Sequence, residues 1–209
     1  ALAQRDIHMD DHRLSYHIRM AELAGVLCNG DLQKMKATYQ LVPDAIKCTG
    51  SSMDRDEALM KLARKYFQSH GPATLEDFVW WSGMNTGDCR KAIDALSHEL
   101  RWEEWNGLRF YLTESCRVRG FKKGQTLLLP SYDEYLIGYK SRDVALPIEY
   151  RHRAHSNNGI FYPVVAQDGI VCGNWTPFKD DPQVEYFDAR ESSTELLDEW
   201  AVYRKFLLA

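Results

Sequence analysis

The chain has 209 residues, of which 44% are hydrophobic and 27% are charged, a composition that is ordinary for a globular protein with an apolar core. Its net charge of -4 argues against a protein that binds nucleic acid through bulk charge alone. No stretch approaches the roughly 18 apolar residues of a membrane span, and the first eleven residues lack the segments of a secretory signal. We therefore expect a cytoplasmic protein with no membrane partner.

Cysteine and histidine positions do not indicate a metal site. The cysteines are scattered without a C-x-x-C pair, which is typical of free thiols rather than of a zinc ribbon or a redox motif. His152 and His155 form the closest histidine pair, and no further ligands follow at metal-binding spacing. We expect neither a metal nor a cofactor.

Residues 1–50 have the order helix, turn and strand. Asp10 or Asp11 can cap a helix that ends near Gly25, and a turn at Asn29-Gly30 leads to a β-prone run that Pro43 closes. This order is typical of the closing part of a winged-helix unit. Because the opening helices are missing, we expect the chain to be a fragment of a longer protein.

Residues 51–124 have the complete winged-helix order of three helices and a hairpin. The helices are predicted to start at Asp54, at Thr74, and at Asn85 or Thr86, and Asn106-Gly107 is a strong two-residue hairpin turn. In the second helix, Thr74 and Asp77 have the spacing of a capping box. Of the adjacent tryptophans there, we expect Trp81 in the core and leave Trp80 open, as a possible stacking platform for an unpaired base.

Residues 125–209 have a β-rich pattern that closes with a helix. A short buried strand is predicted at 127–130, a helix or turn at 133–139, and a hairpin around residues 167–169. A further strand is predicted at 184–187 and an amphipathic helix at 193–207. Together with the first two segments, this predicts an α+β fold.

Basic side chains concentrate between Arg90 and Arg153, whereas acidic ones gather beyond residue 180. This pattern permits a local DNA-facing surface, and it equally fits two solvated faces. On the outer face of the third helix, Arg90 and Lys91 suit phosphate contacts, but Asp88 and Asp94 do not. Winged helices also serve as protein-interaction modules, so base reading by this helix is left open.

An aromatic and acidic string follows the strand at 127–130. Asp133, Tyr135, Tyr139 and Arg142 lie within ten residues of one another, and an acid, a phenol and a guanidinium in such proximity can hold a carboxylate in an ion pair near a substrate. The alternative is a structural bridge between an aspartate and an arginine at a domain junction.

These segments together resemble the AlkZ/YcaQ-type family of winged-helix DNA glycosylases. The resemblance covers most of residues 55–178 and rests on GPATLEDFVWWSGM (71–84), ALSHEL (95–100), LLLPSYDEYLIGYKSR (127–142) and NGIFYPVVAQDGIVCGNWTP (158–177). It implies tandem winged-helix units followed by a C-terminal β-rich, barrel-like domain. It also implies metal-free hydrolysis of the N-glycosidic bond of alkylated or crosslinked bases.

The resemblance leads to specific expectations for DNA binding. We expect a monomer that binds double-stranded DNA, damaged DNA included. Asp133, Tyr135 and Tyr139 are expected to line the lesion pocket. The residues expected to contact phosphates are Arg90, Lys91, Arg119, Lys122 and Arg142.

Catalytic residues cannot be carried over from the family. Its catalytic motif has two glutamines, or a glutamine and an aspartate, separated by one hydrophobic residue, and no Gln-x-Gln occurs in this chain. We therefore assign no catalytic residue and expect the chain to be inactive alone. Two alternatives remain open, a non-enzymatic winged-helix transcription regulator and a protein–protein interaction scaffold.

Overall fold

A computed structural model describes residues 3–8, 10–34, 36–47, 53–116, 123–178, 181–190 and 194–207. Contacts along the chain divide it into two compact units, residues 1–52 and residues 53–209. Within the described residues, no helix has both the length and the apolar character needed to cross a membrane.

The first unit contains a helix and a small antiparallel sheet. Helix α1 (Asp11–Leu23) is capped by Asp10, whose carboxylate accepts a hydrogen bond from the Arg13 amide at 2.8 Å. Strands β1 (Leu27–Asn29) and β2 (Tyr39–Leu41) pair antiparallel. The predicted β-prone run, residues 38–42, is one residue longer than β2 at each end, and Val42 already begins a short helix, α2 (Val42–Ala45). Proline is tolerated in a first helical turn, where no amide donor is required.

The second unit begins with three helices and a hairpin, in the predicted order. The helices are α3 (Arg55–His70), α4 (Leu75–Ser82) and α5 (Thr86–Ala95), and the antiparallel strands are β3 (Leu100–Trp105) and β4 (Leu108–Thr113). At the hairpin turn, Asn106 and Gly107 both have positive φ angles, 50° and 73°, as a type I′ turn requires.

The helices enclose an apolar core. Trp81 packs against this core, as expected, and Trp80, whose place was left open, is exposed. The capping box is present: the Thr74 hydroxyl accepts from the Asp77 amide, and the Asp77 carboxylate accepts from the Thr74 amide. The buried residues of this core are Leu59, Ala63, Tyr66, Phe67, Ala73, Phe78, Cys89, Ala92, Ile93, Leu96 and Leu100.

The remainder of the second unit is built on a four-stranded antiparallel sheet. Its strands are β5 (Thr126–Leu129), β6 (Val164–Gln167), β7 (Ile170–Phe178) and β8 (Asp181–Tyr186), in that spatial order. Three helices accompany it: α6 (Glu134–Ile137), α7 (Arg151–Ala154) and α8 (Thr194–Leu207). Among the described residues the sheet is open and does not close into a barrel, which corrects the barrel-like expectation.

Both faces of this sheet are covered. Val164 and Ala166 pack with Leu136 of α6 on one face, while Val165 packs with Leu196 and Trp200 of α8 on the other. Successive residues of a strand point to opposite faces, so a strand that is covered on both sides consists of consecutive apolar residues. This explains the runs Leu-Leu-Leu in β5 and Val-Val-Ala in β6.

Candidate nucleic-acid interface

Helix α5 presents two cations to solvent. Arg90 and Lys91 are both exposed, whereas Cys89, Ala92 and Ile93 turn into the core. The helix begins after Asn85, whose side chain accepts a hydrogen bond from the Asp88 amide at 2.9 Å. The geometry therefore places both predicted phosphate contacts on one open helix face.

Of the two acidic residues on this helix, Asp88 is paired within the protein, whereas Asp94 is exposed. The Asp88 carboxylate accepts a hydrogen bond from the Arg55 guanidinium of α3 at 2.5 Å and one from the side-chain amide of Asn85 at 2.8 Å. These bonds, the Arg55 one first, hold the pKa of the Asp88 carboxyl below its usual range. Asp88 therefore carries a negative charge that Arg55 compensates, and it no longer argues against an approach of phosphate to Arg90 and Lys91.

The hairpin adds a cationic and aromatic pair that the sequence analysis did not single out. The Arg109 guanidinium lies 4.1 Å from the centre of the Trp102 ring, within the range of a cation–π contact. Both residues border a cavity of about 480 Å³ that Asp94 and Arg101 also line. The sequence could have indicated this pair, because the Asn106-Gly107 turn fixes a strand register that places the Trp102 and Arg109 side chains diagonally on one face of the hairpin.

Tyr135 and Tyr139 line a common cavity of about 240 Å³, together with His70, Asp77 and Arg142. The Tyr139 hydroxyl donates to the His70 carbonyl at 2.9 Å. The Tyr135 hydroxyl donates to the Gly169 carbonyl at 2.5 Å. Burial, reinforced by the nearby Asp77 carboxylate, raises the pKa of Tyr139 to about 12, and burial also raises the pKa of Tyr135. Both phenols are therefore neutral hydrogen-bond donors at physiological pH.

Asp133 has a different place from the two tyrosines. Its carboxylate accepts from the Tyr135 amide at 2.8 Å and caps α6, and it is not among the residues that line the cavity. The acid beside the cavity is instead Asp77, which is only 3% exposed. Its Oδ1 accepts from the Lys140 amide at 2.9 Å and from the Ser141 amide at 3.4 Å.

Arg142 is half-buried beside the same cavity. Its Nε donates to the Leu136 carbonyl at 2.6 Å and its Nη1 donates to the Lys140 carbonyl at 3.4 Å. Within the described parts of the chain no carboxylate forms an ion pair with it, whereas the adjacent Asp143 pairs with Arg151. Burial, and then the nearby Arg151, lower the pKa of Arg142.

Two further predicted phosphate contacts, Arg119 and Lys122, lie outside the described residues. No cluster of three or more potential metal ligands occurs among the residues that the structure describes. The fold and site thus define a mixed α/β protein that exposes cations on α5 and on its hairpin and that has an aromatic cavity beside the sheet.

Comparison with known proteins places the chain in a family. The sequence model of the family "DNA glycosylase AlkZ-like" matches residues 1–190, and the chain belongs to this family. This confirms the resemblance found in the sequence.

Two relatives show how much of such a protein the chain represents. It is 32% identical over 173 residues to a Streptomyces sahachiroi protein described as an interstrand DNA cross-link repair glycosylase. That match covers 75% of the chain and 47% of the relative, so the chain spans about half the relative's length. The solved structure of Streptomyces sahachiroi DNA glycosylase AlkZ has the same fold, with a TM-score of 0.74 and 24% identity over 92% of this chain and 57% of that one.

Proposed function

We propose that this chain is the DNA-holding part of a repair glycosylase that acts on alkylated or crosslinked bases in double-stranded DNA. The family match over residues 1–190 carries this proposal. The relative described as a cross-link repair glycosylase, with 32% identity, supports the substrate class. We place the protein in the cytoplasm and take it to bind DNA as a monomer.

In this proposal the helices and hairpin of residues 51–124 act as a winged helix, and α5 lies against the phosphates. Arg90 and Lys91 are exposed and have no carboxylate partner among the described residues, which leaves their charges available for phosphate oxygens. Arg119 and Lys122 follow the hairpin in the chain and are proposed to extend this contact. Residues 1–50 are proposed to form the closing part of a similar unit.

The cavity lined by Tyr135 and Tyr139 is proposed to be part of the wall of the lesion pocket. Both hydroxyls donate to backbone carbonyls, so the rings are held in fixed orientations. Asp133 contributes indirectly, because its cap fixes the start of α6 and thereby the position of Tyr135.

Hydrolysis itself is not assigned to any residue of this chain. The 209 residues contain no Gln-x-Gln sequence, and in the proposal the water that attacks the sugar is positioned by residues outside them. We accordingly propose that the reaction needs no metal or cofactor and that the chain alone binds DNA without excising a base.

Fluorescence anisotropy tests this proposal. The chain is titrated with a plain duplex and with the same duplex carrying an abasic-site analogue, at several salt concentrations. We expect salt-dependent binding of a monomer, tighter for the modified duplex because unstacking is easiest where a base is missing. Salt-independent or absent binding contradicts the proposal, and a dimer that prefers a palindromic sequence favours a transcription regulator instead.

A further inference from the structure

An exposed aromatic surface lies on the second unit. Trp80 of α4 is 54% exposed, and Tyr132, in the turn before α6, is 52% exposed. Between them lie Phe161 and the guanidinium of Arg142. We call these four residues the Trp80–Tyr132 patch.

Contacts connect the four side chains in series. The rings of Tyr132 and Phe161 have centres 6.1 Å apart. The Arg142 guanidinium carbon lies 5.0 Å from the centre of the Phe161 ring and 5.9 Å from that of Trp80. Trp80 is fixed from its other edge, because its indole nitrogen donates to the Ile137 carbonyl at 3.3 Å. The patch therefore offers two solvent-exposed rings that flank a cation.

No carboxylate among the described residues forms an ion pair with Arg142, although the Asp77 carboxylate beside the same cavity attracts its charge. Arg142 donates to the carbonyls of Leu136 and Lys140, which are uncharged acceptors. The acid nearest to it in the sequence, Asp143, pairs with Arg151, and Asp133 and Glu134 also have other partners. Asp133 caps α6, and Glu134 lies 3.1 Å from the His70 imidazole. Such a surface disfavours a cationic ligand and favours one that combines a flat ring with negative charge.

Tyr132 has an unfavourable backbone conformation. Its φ angle is +58°, in the left-handed region that an aromatic residue rarely adopts. Glycine or asparagine would occupy this turn position at lower cost. The turn thus holds a large ring in solvent against local preference, and residues in strained conformations concentrate at binding sites.

We propose that the Trp80–Tyr132 patch binds an unpaired nucleobase of DNA by stacking, while Arg142 attracts the phosphate of the same nucleotide. This inference rests on the proposed DNA-binding function and adds to it a place for a base that has left the duplex. Every base has a π face, so stacking of this kind tolerates any sequence. The patch would therefore read the loss of pairing rather than base identity.

The test uses a duplex in which 2-aminopurine lies opposite an abasic-site analogue, and a control duplex in which 2-aminopurine is paired with thymine. Anisotropy gives the affinity for each duplex, and the fluorescence of 2-aminopurine falls when this base stacks on an aromatic ring. The variants are Trp80→Ala, Trp80→Phe and Tyr132→Ala. The control is Trp105→Ala, because Trp105 is 53% exposed on the hairpin and is equal in size.

The wild type and Trp105→Ala are expected to prefer the unpaired duplex and to quench its 2-aminopurine. Trp80→Ala and Tyr132→Ala are expected to bind the unpaired duplex about 5- to 100-fold more weakly, with unchanged affinity for the paired one. Trp80→Phe should retain most of the quenching. Unfolding temperatures confirm that each variant is folded.

Two results separate this inference from the proposed function. If the wild type binds both duplexes equally, or if Trp80→Ala and Tyr132→Ala keep the preference, the stacking site is wrong while DNA binding stands. If the wild type binds neither duplex, both the stacking site and the proposed function are overturned. An equal loss in Trp80→Ala and Trp105→Ala also contradicts the stacking site, since it would indicate a nonspecific effect of losing an exposed indole.

Discussion

Replacing Asp77 by alanine should destabilise the unit of residues 53–209 far more than the loss of an ordinary helix cap. Oδ2 of Asp77 accepts from the Thr74 amide at 2.9 Å and from the Thr74 hydroxyl at 2.8 Å. Its Oδ1 accepts from the amides of Lys140 and Ser141. One buried carboxylate thus holds the start of α4 and the segment after α6 together.

The expected loss in the free energy of unfolding follows from these hydrogen bonds. Loss of an N-terminal cap costs about 0.5–2 kcal/mol, and leaving a buried amide without an acceptor adds about 1–3 kcal/mol. We expect Asp77→Ala to lower the free energy of unfolding by about 2–5 kcal/mol. Asp77→Asn keeps one acceptor oxygen, so its effect should be smaller.

Urea unfolding of Asp77→Ala and of Asp54→Ala provides the comparison. Asp54 is the N-cap residue of α3, but it is exposed and its carboxylate accepts from the Asp56 amide alone, at 2.8 Å. This control should lose only the cost of one exposed cap. Equal losses in the two variants would refute the role of Asp77 as a link between α4 and the segment after α6.

Three further predictions concern charge, ionisation and packing. The Arg55 guanidinium holds the pKa of Asp88 below its usual range, so the pair stabilises the fold at neutral pH and this contribution is lost as the pH falls through the lowered pKa. Arg55→Ala should therefore reduce the free energy of unfolding at pH 7, and urea unfolding should show the difference from the wild type shrinking as the pH is lowered. Burial raises the pKa of Tyr139 to about 12, so the fold favours the neutral phenol. The resulting stabilisation is present below the ordinary tyrosine pKa of 10 and is lost as the pH rises to 12. The ultraviolet titration of Tyr139→Phe should therefore lack a phenol that ionises near pH 12, and an unchanged titration would contradict this. A Cβ at Gly138 would lie 2.7 Å from the Glu134 carbonyl oxygen and 2.7 Å from a carbon of the His70 imidazole. Gly138→Ala should therefore reduce the stability measured by thermal unfolding by about 1–3 kcal/mol. The control Gly87→Ala should lose less, because its nearest contact is a side-chain atom at 3.3 Å.

Local signals predicted much of the second unit. The capping box of Thr74 and Asp77 and the turns at Asn106-Gly107 and Asp168-Gly169 depend on residues a few positions apart, so their chemistry is visible in the sequence. The helix starts and the two hairpins followed from these signals. Closure of the sheet was expected from the family resemblance alone, and the four described strands form an open sheet instead.

The candidate site was harder to predict because its important contacts are distant in the sequence. Asp88 was judged unfavourable for DNA, but Arg55, 33 positions earlier, pairs with it. Asp133 was assigned to the pocket, yet its side chain caps α6. Arg142 satisfies two donors with backbone carbonyls, which composition cannot indicate. Charge counts show how many cations exist, but not which ones remain available.

The salt dependence of duplex binding tests most directly the claim that α5 faces DNA phosphates. Each phosphate contact contributes about 0.9 to the slope of log affinity against log salt concentration. Removing both cations in Arg90→Ala/Lys91→Ala should therefore reduce the slope by about 1.8. The matched control is Lys61→Ala/Lys65→Ala, which removes two exposed charges from α3 and should leave the slope unchanged. An unchanged slope in the α5 variant, or equal reductions in both variants, would contradict the account.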